Sequence, residues 1–195
     1  MALDDRLIAR VGGSIARARL LAPGEPVLAL VSGGADSTLL AHALVALGHR
    51  VETLHVRHGL RGAASEEDAA ACRALAAGLG IPHRELAGLV PPGAGIEARA
   101  REQRRTAADA VRAGRAVATG HTRDDRIETI LYRLAASPGA AAFAALPAAD
   151  GAGRVRPLLE LAREDVRLAL ARASIAWRED ASNRDRLHAR NRVRL

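Results

Sequence analysis

The sequence predicts a doubly wound α/β domain whose sheet is mostly parallel and carries helices on both faces. Three observations lead there: short apolar runs that stop at glycine or polar turns, stretches of helical period between those runs, and regular alternation of the two along most of the 195 residues. Strands separated by helices imply βαβ units with right-handed crossovers.

Leu3, Leu7, Ile8, Val11 and Ile15 recur at helical spacing, so a helix is expected from about Asp4 to Leu21, ended by Pro23-Gly24. Pro26 to Val31 is a continuous apolar run, the pattern of a strand buried on both faces. Ser32-Gly33-Gly34 closes it, and a helix follows through Leu39, Leu40, Ala43, Leu44 and Leu47, with Gly48 as its stop. The cycle then repeats: Arg50 to Val56 as a strand, Ser65 to Leu79 as a helix opened by Ser65, and a strand near His83 to Leu86. Ile96 to Ala113 reads as a helix, Arg115 to Thr119 as a strand, Arg123 to Leu134 as a helix, and Val155 with its neighbours as a short last strand. Ser137 to Gly153 is rich in Ala, Gly and Pro without a clean period, which marks a loop or a short helical insertion. A helix from Arg163 to Ala173 precedes a charged tail from Arg178 to Leu195.

Residues 1–195 read as one domain, with 178–195 as a basic C-terminal segment. A chain that is 49% hydrophobic and 26% charged can bury a real core, which excludes wholesale disorder. Twenty-nine basic against 22 acidic residues give a net charge of +7, which favours a polyanionic partner, with nucleic acid foremost. Every basic side chain is Arg, whose planar fork grips phosphate through two hydrogen bonds. Cys72 stands alone, so an internal disulfide and a multi-thiolate metal site are both excluded. No signal peptide and no membrane-length apolar run is seen, so a cytoplasmic protein with no membrane partner is expected.

The strongest chemical signal is Ser32-Gly33-Gly34-Ala35-Asp36-Ser37, set between a buried strand and a helix. Two glycines let the backbone turn its N–H groups inward, and the helix adds its positive end, so the loop makes a cradle for phosphate oxygens. It lacks the Gly-Lys-Ser/Thr ending of a Walker A loop. A second constellation, Gly120-His121-Thr122-Arg123-Asp124-Asp125-Arg126-Ile127-Glu128-Thr129, follows a strand, where open α/β sheets bind ligands. Its adjacent carboxylates, Asp124 and Asp125, either hold Mg²⁺ or serve as charges at a helix N terminus. His55, Arg57, His58 and Arg61, also at a strand end, are substrate contacts or structural residues. Arg99, Arg101, Arg104 and Arg105 line a helix whose surface is either functional or merely solvated. Glu179 to Asp185 and Ala189 to Arg194, taken alone, read as a solvated charged tail.

Ser32-Gly33-Gly34-x-Asp36-Ser37 resembles the PP-loop, the pyrophosphate-binding loop of ATP pyrophosphatases, at every fixed position. That resemblance implies an adenine nucleotide alpha hydrolase-like fold, cleavage of ATP between its α and β phosphates, and transfer of AMP to a carbonyl oxygen. With His55 to Arg61, Ala100 to Arg104, Gly120 to Thr129, Arg156-Pro157-Leu158-Leu159 and Glu179 to Arg194, the chain is similar to the tRNA(Ile)-lysidine synthetase family over nearly all of Val27 to Arg194. The tail carries the most family-specific part, Glu-Asp-x-Ser-Asn followed by Arg-Asn-x-x-Arg.

The resemblance implies an ATP-dependent carbon–nitrogen ligase with ATP and Mg²⁺ as cofactors. ATP would adenylate the C2 carbonyl oxygen of the wobble cytidine in isoleucine tRNA with a CAU anticodon. The ε-amine of free L-lysine would then displace AMP, giving lysidine, AMP and pyrophosphate. By the same resemblance Ser32, Gly33, Gly34, Ala35, Asp36 and Ser37 hold the phosphates, and His55, Gly120 and His121 also serve the nucleotide. Asp36, Asp124 and Asp125 are the metal residues, and Asp36, Arg101 and Asp125 the catalytic ones. His58, Arg61, Asp180, Asn183, Arg190, Asn191 and Arg194 are the tRNA and substrate residues. A homodimer is left open, and the further C-terminal tRNA-binding domains of many relatives are expected to be absent from this chain.

Three positions depart from the family pattern: Arg57 stands in place of Asp or Asn, Arg105 in place of Tyr, and Ala135-Ala136 in place of Arg-Gly. The alternatives are another PP-loop tRNA-modifying adenylating enzyme or a non-catalytic nucleotide- or RNA-binding module of the same fold. A thiolase that uses paired cysteines conflicts with the lone Cys72, and the intact Asp36, Asp124, Asp125 and Arg101 oppose a module without turnover.

Overall fold

The computed structural model describes residues 3–57, 63–88, 93, 95–136, 143 and 146–179. Its elements alternate as the sequence predicts: α1 (Asp5–Arg17), β1 (Pro26–Leu30), α2 (Ala35–Ala46), β2 (Arg50–Arg57), α3 (Ala63–Leu79), β3 (His83–Ala87), α4 (Ile96–Val111), β4 (Ala116–Ala118), α5 (Arg123–Ala136), β5 (Arg154–Val155) and α6 (Arg163–Arg172). The five strands form one sheet in the order β3-β2-β1-β4-β5, and each neighbouring pair is parallel.

Several helix ends differ from the sequence reading: α4 stops at Val111 rather than Ala113, and α5 runs on to Ala136 rather than Leu134. α1 stops at Arg17 because Arg19 turns left-handed (φ 49°), and the Arg19 and Leu20 N–H groups bond back to Ala16 and Ile15 carbonyls. That reversal returns Leu20 and Leu21 to the core, where both are buried. α3 opens at Ala63, so Ser65 lies inside its first turn and does not cap it.

β1 runs through the centre of the sheet and shows how the two faces are filled. Val27 and Ala29 point into a core shared by α1, α2 and α6, whereas Leu28 joins Leu54, Val117 and Ala108 of α4 on the other face. Helices therefore cover both faces, as a doubly wound sheet requires. α2 has no solvent-facing stripe along most of its length: Leu39, Leu40, Ala41, Ala43 and Leu44 are all fully buried. Ala41 also packs with Val31 and Cys72, which ties α2 to α3. Burial in that cluster, then the nearby Asp68 and Glu85 charges, push the Cys72 thiol up to about 12. Cys72 is therefore a packing residue in its neutral form.

The short β5 is held by charge. Arg154 is buried and ion-paired with Asp109 of α4 and Asp150 at 2.9 Å each, which fixes the sheet edge to α4.

The chain runs from β1 outward through β2 and β3, then returns to place β4 on the other side of β1. Strand order thus switches between β1 and β4, and the loops leaving their carboxyl ends must diverge around a crevice there. Among the described residues no helix is long and apolar enough to cross a membrane.

Because α2 is enclosed along most of its length, truncating its core contact is expected to be costly. Leu44→Ala should lower the unfolding free energy by about 2–5 kcal/mol, measured by urea denaturation with an unchanged m-value.

Candidate nucleotide and metal site

The loop after β1 is braced from within. The Ser32 N–H donates to Ser37 Oγ at 3.1 Å, and Ser37 Oγ–H donates to the Gly34 carbonyl at 3.0 Å. Gly33 sits at φ +81°, a left-handed turn that the absent Cβ permits, and this turn starts α2 at Ala35. Gly34 occupies the cap position, and no side chain caps the helix. The first-turn N–H groups and the positive end of the helix dipole therefore remain for an anion. Ser37 braces the loop and does not cap the helix, and no side chain, Asp36 included, makes a capping bond at Gly34.

Facing this loop across the switch point is the segment from β4 into α5. Gly120 packs directly on the first turn of α2: a Cβ there would lie 2.8 Å from the Asp36 carbonyl carbon and oxygen and 2.9 Å from the Ser37 nitrogen. Only glycine allows the two loops to come so close. Thr122, fully buried, ties the start of α5 to Asp125, its N–H donating to Asp125 Oδ2 at 2.8 Å and its hydroxyl to the same oxygen at 3.1 Å. Asp125 Oδ1 receives Arg163 Nη2 at 3.1 Å, and Asp124 Oδ2 receives the Arg163 backbone N–H at 2.8 Å. Glu128, buried one turn along α5, receives Arg163 Nη1 at 2.9 Å.

The outcome is a half-buried acidic crevice into which the Arg163 guanidinium reaches. Burial first, and then the charges of Asp125 and Asp124, push the Asp36 carboxyl up to about 6, although Arg163 and Arg167 oppose the shift. Asp125 moves the other way. Burial would raise it, but the Thr122 N–H, His121, Arg163 and the Thr122 hydroxyl hold it below the usual carboxylate range. Carboxyls perturbed by burial and by specific charge partners cluster in functional clefts.

A family model described as a PP-loop domain matches residues 14–195, including both walls of this crevice. The chain belongs to the PP-loop domain family. Among curated relatives it is 43% identical to a tRNA(Ile)-lysidine synthase of Solibacter usitatus over 179 residues, 90% of this chain and 40% of that one. It is 37% identical to a tRNA(Ile)-lysidine synthase of Pseudomonas fluorescens over 172 residues, 84% of this chain and 39% of that one. The PP-loop chain thus spans about two fifths of the length of these relatives. Among solved structures, a U34-tRNA thiolase of Methanococcus maripaludis aligns with a TM-score of 0.78 at 16% identity, covering 97% of this chain and 70% of that chain. At that identity the likeness shows a shared fold.

Within the PP-loop fold the expected residues divide clearly. Ser32 to Ser37, Asp36, Gly120, Asp124 and Asp125 come together at the β1/β4 switch point. His121 stands beside them, its Nδ1 bonded to Thr119 Oγ1 at 2.9 Å. His55 is placed differently. It is buried beneath the loop, its Nδ1 bonded to the Val31 carbonyl at 3.0 Å, with Cys72 Sγ 3.5 Å away. It supports the strand end from which the PP-loop departs. Arg101 is exposed on α4, an element separate from the two that wall the crevice. Arg57 pairs with Glu66 of α3 at 2.8 Å, and Arg105 with Glu102 at 3.7 Å. His58, Arg61, Asp180, Asn183, Arg190, Asn191 and Arg194 lie outside the described residues.

Sequence reasoning missed Arg163, which binds Asp125, Glu128 and, through its backbone, Asp124. Its signal was weak because it lies in the first turn of a helix far along the chain. Among the described residues no group of three or more His, Cys, Asp or Glu is placed to enclose a metal ion. Asp124 and Asp125 direct their oxygens to Arg163 and Thr122, while Asp36 Oδ1 is buried without a hydrogen-bond partner. Mg²⁺ usually takes one or two protein carboxylates and completes its shell with phosphate oxygens and water. The residues therefore fit a cation that enters with a nucleotide and takes Asp36 as its protein ligand.

The raised Asp36 carboxyl has a stability consequence with a defined sign. The folded state holds this proton more tightly than the unfolded chain, so stability present at low pH is lost as pH rises from 3.8 through about 6. Asp36→Asn should therefore be more stable than the parent at pH 8, by at most about 3 kcal/mol. In urea unfolding series across pH the difference should vanish below about pH 4.

Proposed function

We propose that this PP-loop domain activates the C2 carbonyl oxygen of a tRNA wobble cytidine with AMP from ATP and then joins lysine to that carbon. The substrate is isoleucine tRNA with a CAU anticodon, and the second substrate is free L-lysine. The single observation that carries the reading is the uncapped α2 N terminus set against the Asp36 carboxyl, in a chain 43% identical to a tRNA(Ile)-lysidine synthase.

The chemistry follows from what a cytosine carbonyl needs. Its oxygen is a poor leaving group, so it is first bonded to the α phosphorus of ATP, and the bond from that phosphorus to the β-phosphate oxygen breaks to release pyrophosphate. The amine of lysine then bonds to C2, AMP leaves with the former carbonyl oxygen, and the amine loses a proton. Ser32, Gly33, Gly34, Ala35 and Ser37 hold the departing phosphates through backbone N–H groups and hydroxyls. Asp36 would hold Mg²⁺, which neutralises developing phosphate charge when bound. Asp125, with Asp124 beside it, serves the lysine site; the Thr122 N–H, His121 and Arg163 hold the Asp125 carboxyl low, and Arg163 fixes both side chains in place. Arg101 is assigned to the reacting phosphate or to the lysine carboxylate. Gly120 and His121 complete the nucleotide wall, with His55 beneath it.

Contact with tRNA falls to His58, Arg61, Asp180, Asn183, Arg190, Asn191 and Arg194. With one Trp, one Tyr and one Phe in the chain, base stacking is limited, and Arg contacts to phosphate must supply much of the affinity.

Incubation with ATP, Mg²⁺, radiolabelled lysine and isoleucine tRNA tests the reading. The expected products are lysine-labelled tRNA, AMP and pyrophosphate, and Asp36→Ala should lower the rate at least about a hundredfold. Formation of ADP and orthophosphate, or folded protein that labels no tRNA, would contradict it.

A further inference from the structure

We infer that the segment leaving α6 is a positioning element for the phosphate loop, with Arg178 as its clasp on α3. The inference rests on the reading that Ser32 to Ser37 hold pyrophosphate.

Arg178 reaches the loop twice. Its backbone N–H donates to the Gly33 carbonyl at 2.9 Å, and its Cδ lies 3.8 Å from where a Cβ on Gly33 would stand. Its guanidinium meanwhile crosses to α3, where Nε donates to Asp68 Oδ1 at 2.8 Å and Nη2 meets Glu67 Oε2 at 2.8 Å. Gly33 is thereby held between α3 and the strap: the same missing Cβ would face Ala71 Cβ at 3.4 Å and the Asp68 carbonyl at 3.5 Å.

The consequence lies in the plane of one peptide. The described residues contain no cis peptide bond, so the Gly33 carbonyl and the Gly34 N–H point to opposite sides of their trans linkage. Tying that carbonyl to the strap turns the Gly34 N–H away from it, toward the loop's inner side. A glycine at φ +81° followed by one at φ -76° has no side chain of its own to fix this orientation. The strap supplies the missing constraint from outside the loop, and the double ion pair keeps the strap in place.

Surface ion pairs commonly contribute little to stability, so a merely structural pair would leave ligand affinity unchanged. The test is therefore affinity for magnesium pyrophosphate, in the absence of tRNA and lysine. Trp177, the one tryptophan in the chain, adjoins the clasp and lines a cleft of about 350 Å³ with Gly33, Thr38 and His42, so its fluorescence reports binding. Isothermal titration gives an independent Kd. Arg178→Ala should weaken pyrophosphate binding on the order of tenfold, with the circular dichroism spectrum unchanged. Glu67→Gln with Asp68→Asn should match that loss, and all three substitutions together should do no more than either set alone. Arg178→Lys should recover part of the affinity. Should Arg178→Ala fail to fold, the neutral Gln/Asn pair carries the same test from the α3 side.

Parent-like affinity in folded Arg178→Ala, or losses that simply add, would overturn the clasp and leave the proposed ligase chemistry standing. A parent protein that binds no pyrophosphate would overturn the phosphate reading together with the clasp.

Discussion

The close approach of Gly120 to the first turn of α2 is the contact on which the crevice depends. β1 and β4 are neighbours in register, Ala29 opposite Ala118, but adjacency of strands alone does not bring their loops together. The loops meet because a hydrogen atom stands where any other residue would put a carbon 2.8 Å from the Asp36 backbone. That contact seats Asp36 beside Asp125, and it does so at the one point in the sheet where the crossovers diverge. A sheet and helices of the same order with a larger residue at 120 would have the same core and a different site.

The crevice also shows why the site costs stability. Asp36 keeps a buried oxygen without a partner and a carboxyl raised to about 6, both unfavourable for the isolated protein. Arg163 compensates only in part, because its guanidinium is directed to Asp125 and Glu128 and reaches Asp36 through space alone. The rest of the molecule absorbs this cost through burial. α2, which carries the site at its N terminus, is the most enclosed helix, and its fully buried leucines leave that terminus little freedom to relax. A phosphate with its cation would bring negative charge to the helix N terminus and positive charge to Asp36.

Much of this was legible in the sequence, and the reasons are local. The apolar run Pro26–Val31, the Gly-Gly turn and the helix after it are each fixed by neighbours within a few residues, so strand, loop and helix could be placed almost to the residue. The same holds for Thr119 to Thr129, where strand, turn and acidic helix start follow one another. What was not legible depends on contacts between distant segments. Gly120 reads as an ordinary turn glycine until α2 is laid against it, and Arg163 reads as one more helix arginine until α5 is. Arg178 looked like the start of a solvated tail, yet it binds across 110 residues to Asp68. The helix-end misreading at Leu21 has the same origin: Leu20 and Leu21 continue the helical period but are needed in the core, and packing overrides the period. His55 reads in the sequence only as a residue at a strand end, and its bond to the Val31 carbonyl under the loop depends on how β1 and β2 are laid together.

The central claim is that the backbone between Val31 and Ser37 holds the β and γ phosphates of ATP. A crystal structure with a non-hydrolysable ATP analogue and Mg²⁺ examines that claim directly. The account predicts phosphate density at the amides of Gly33 to Ser37, with the cation in contact with Asp36 Oδ1. Phosphates bound elsewhere on the sheet, with this loop left empty, would contradict it.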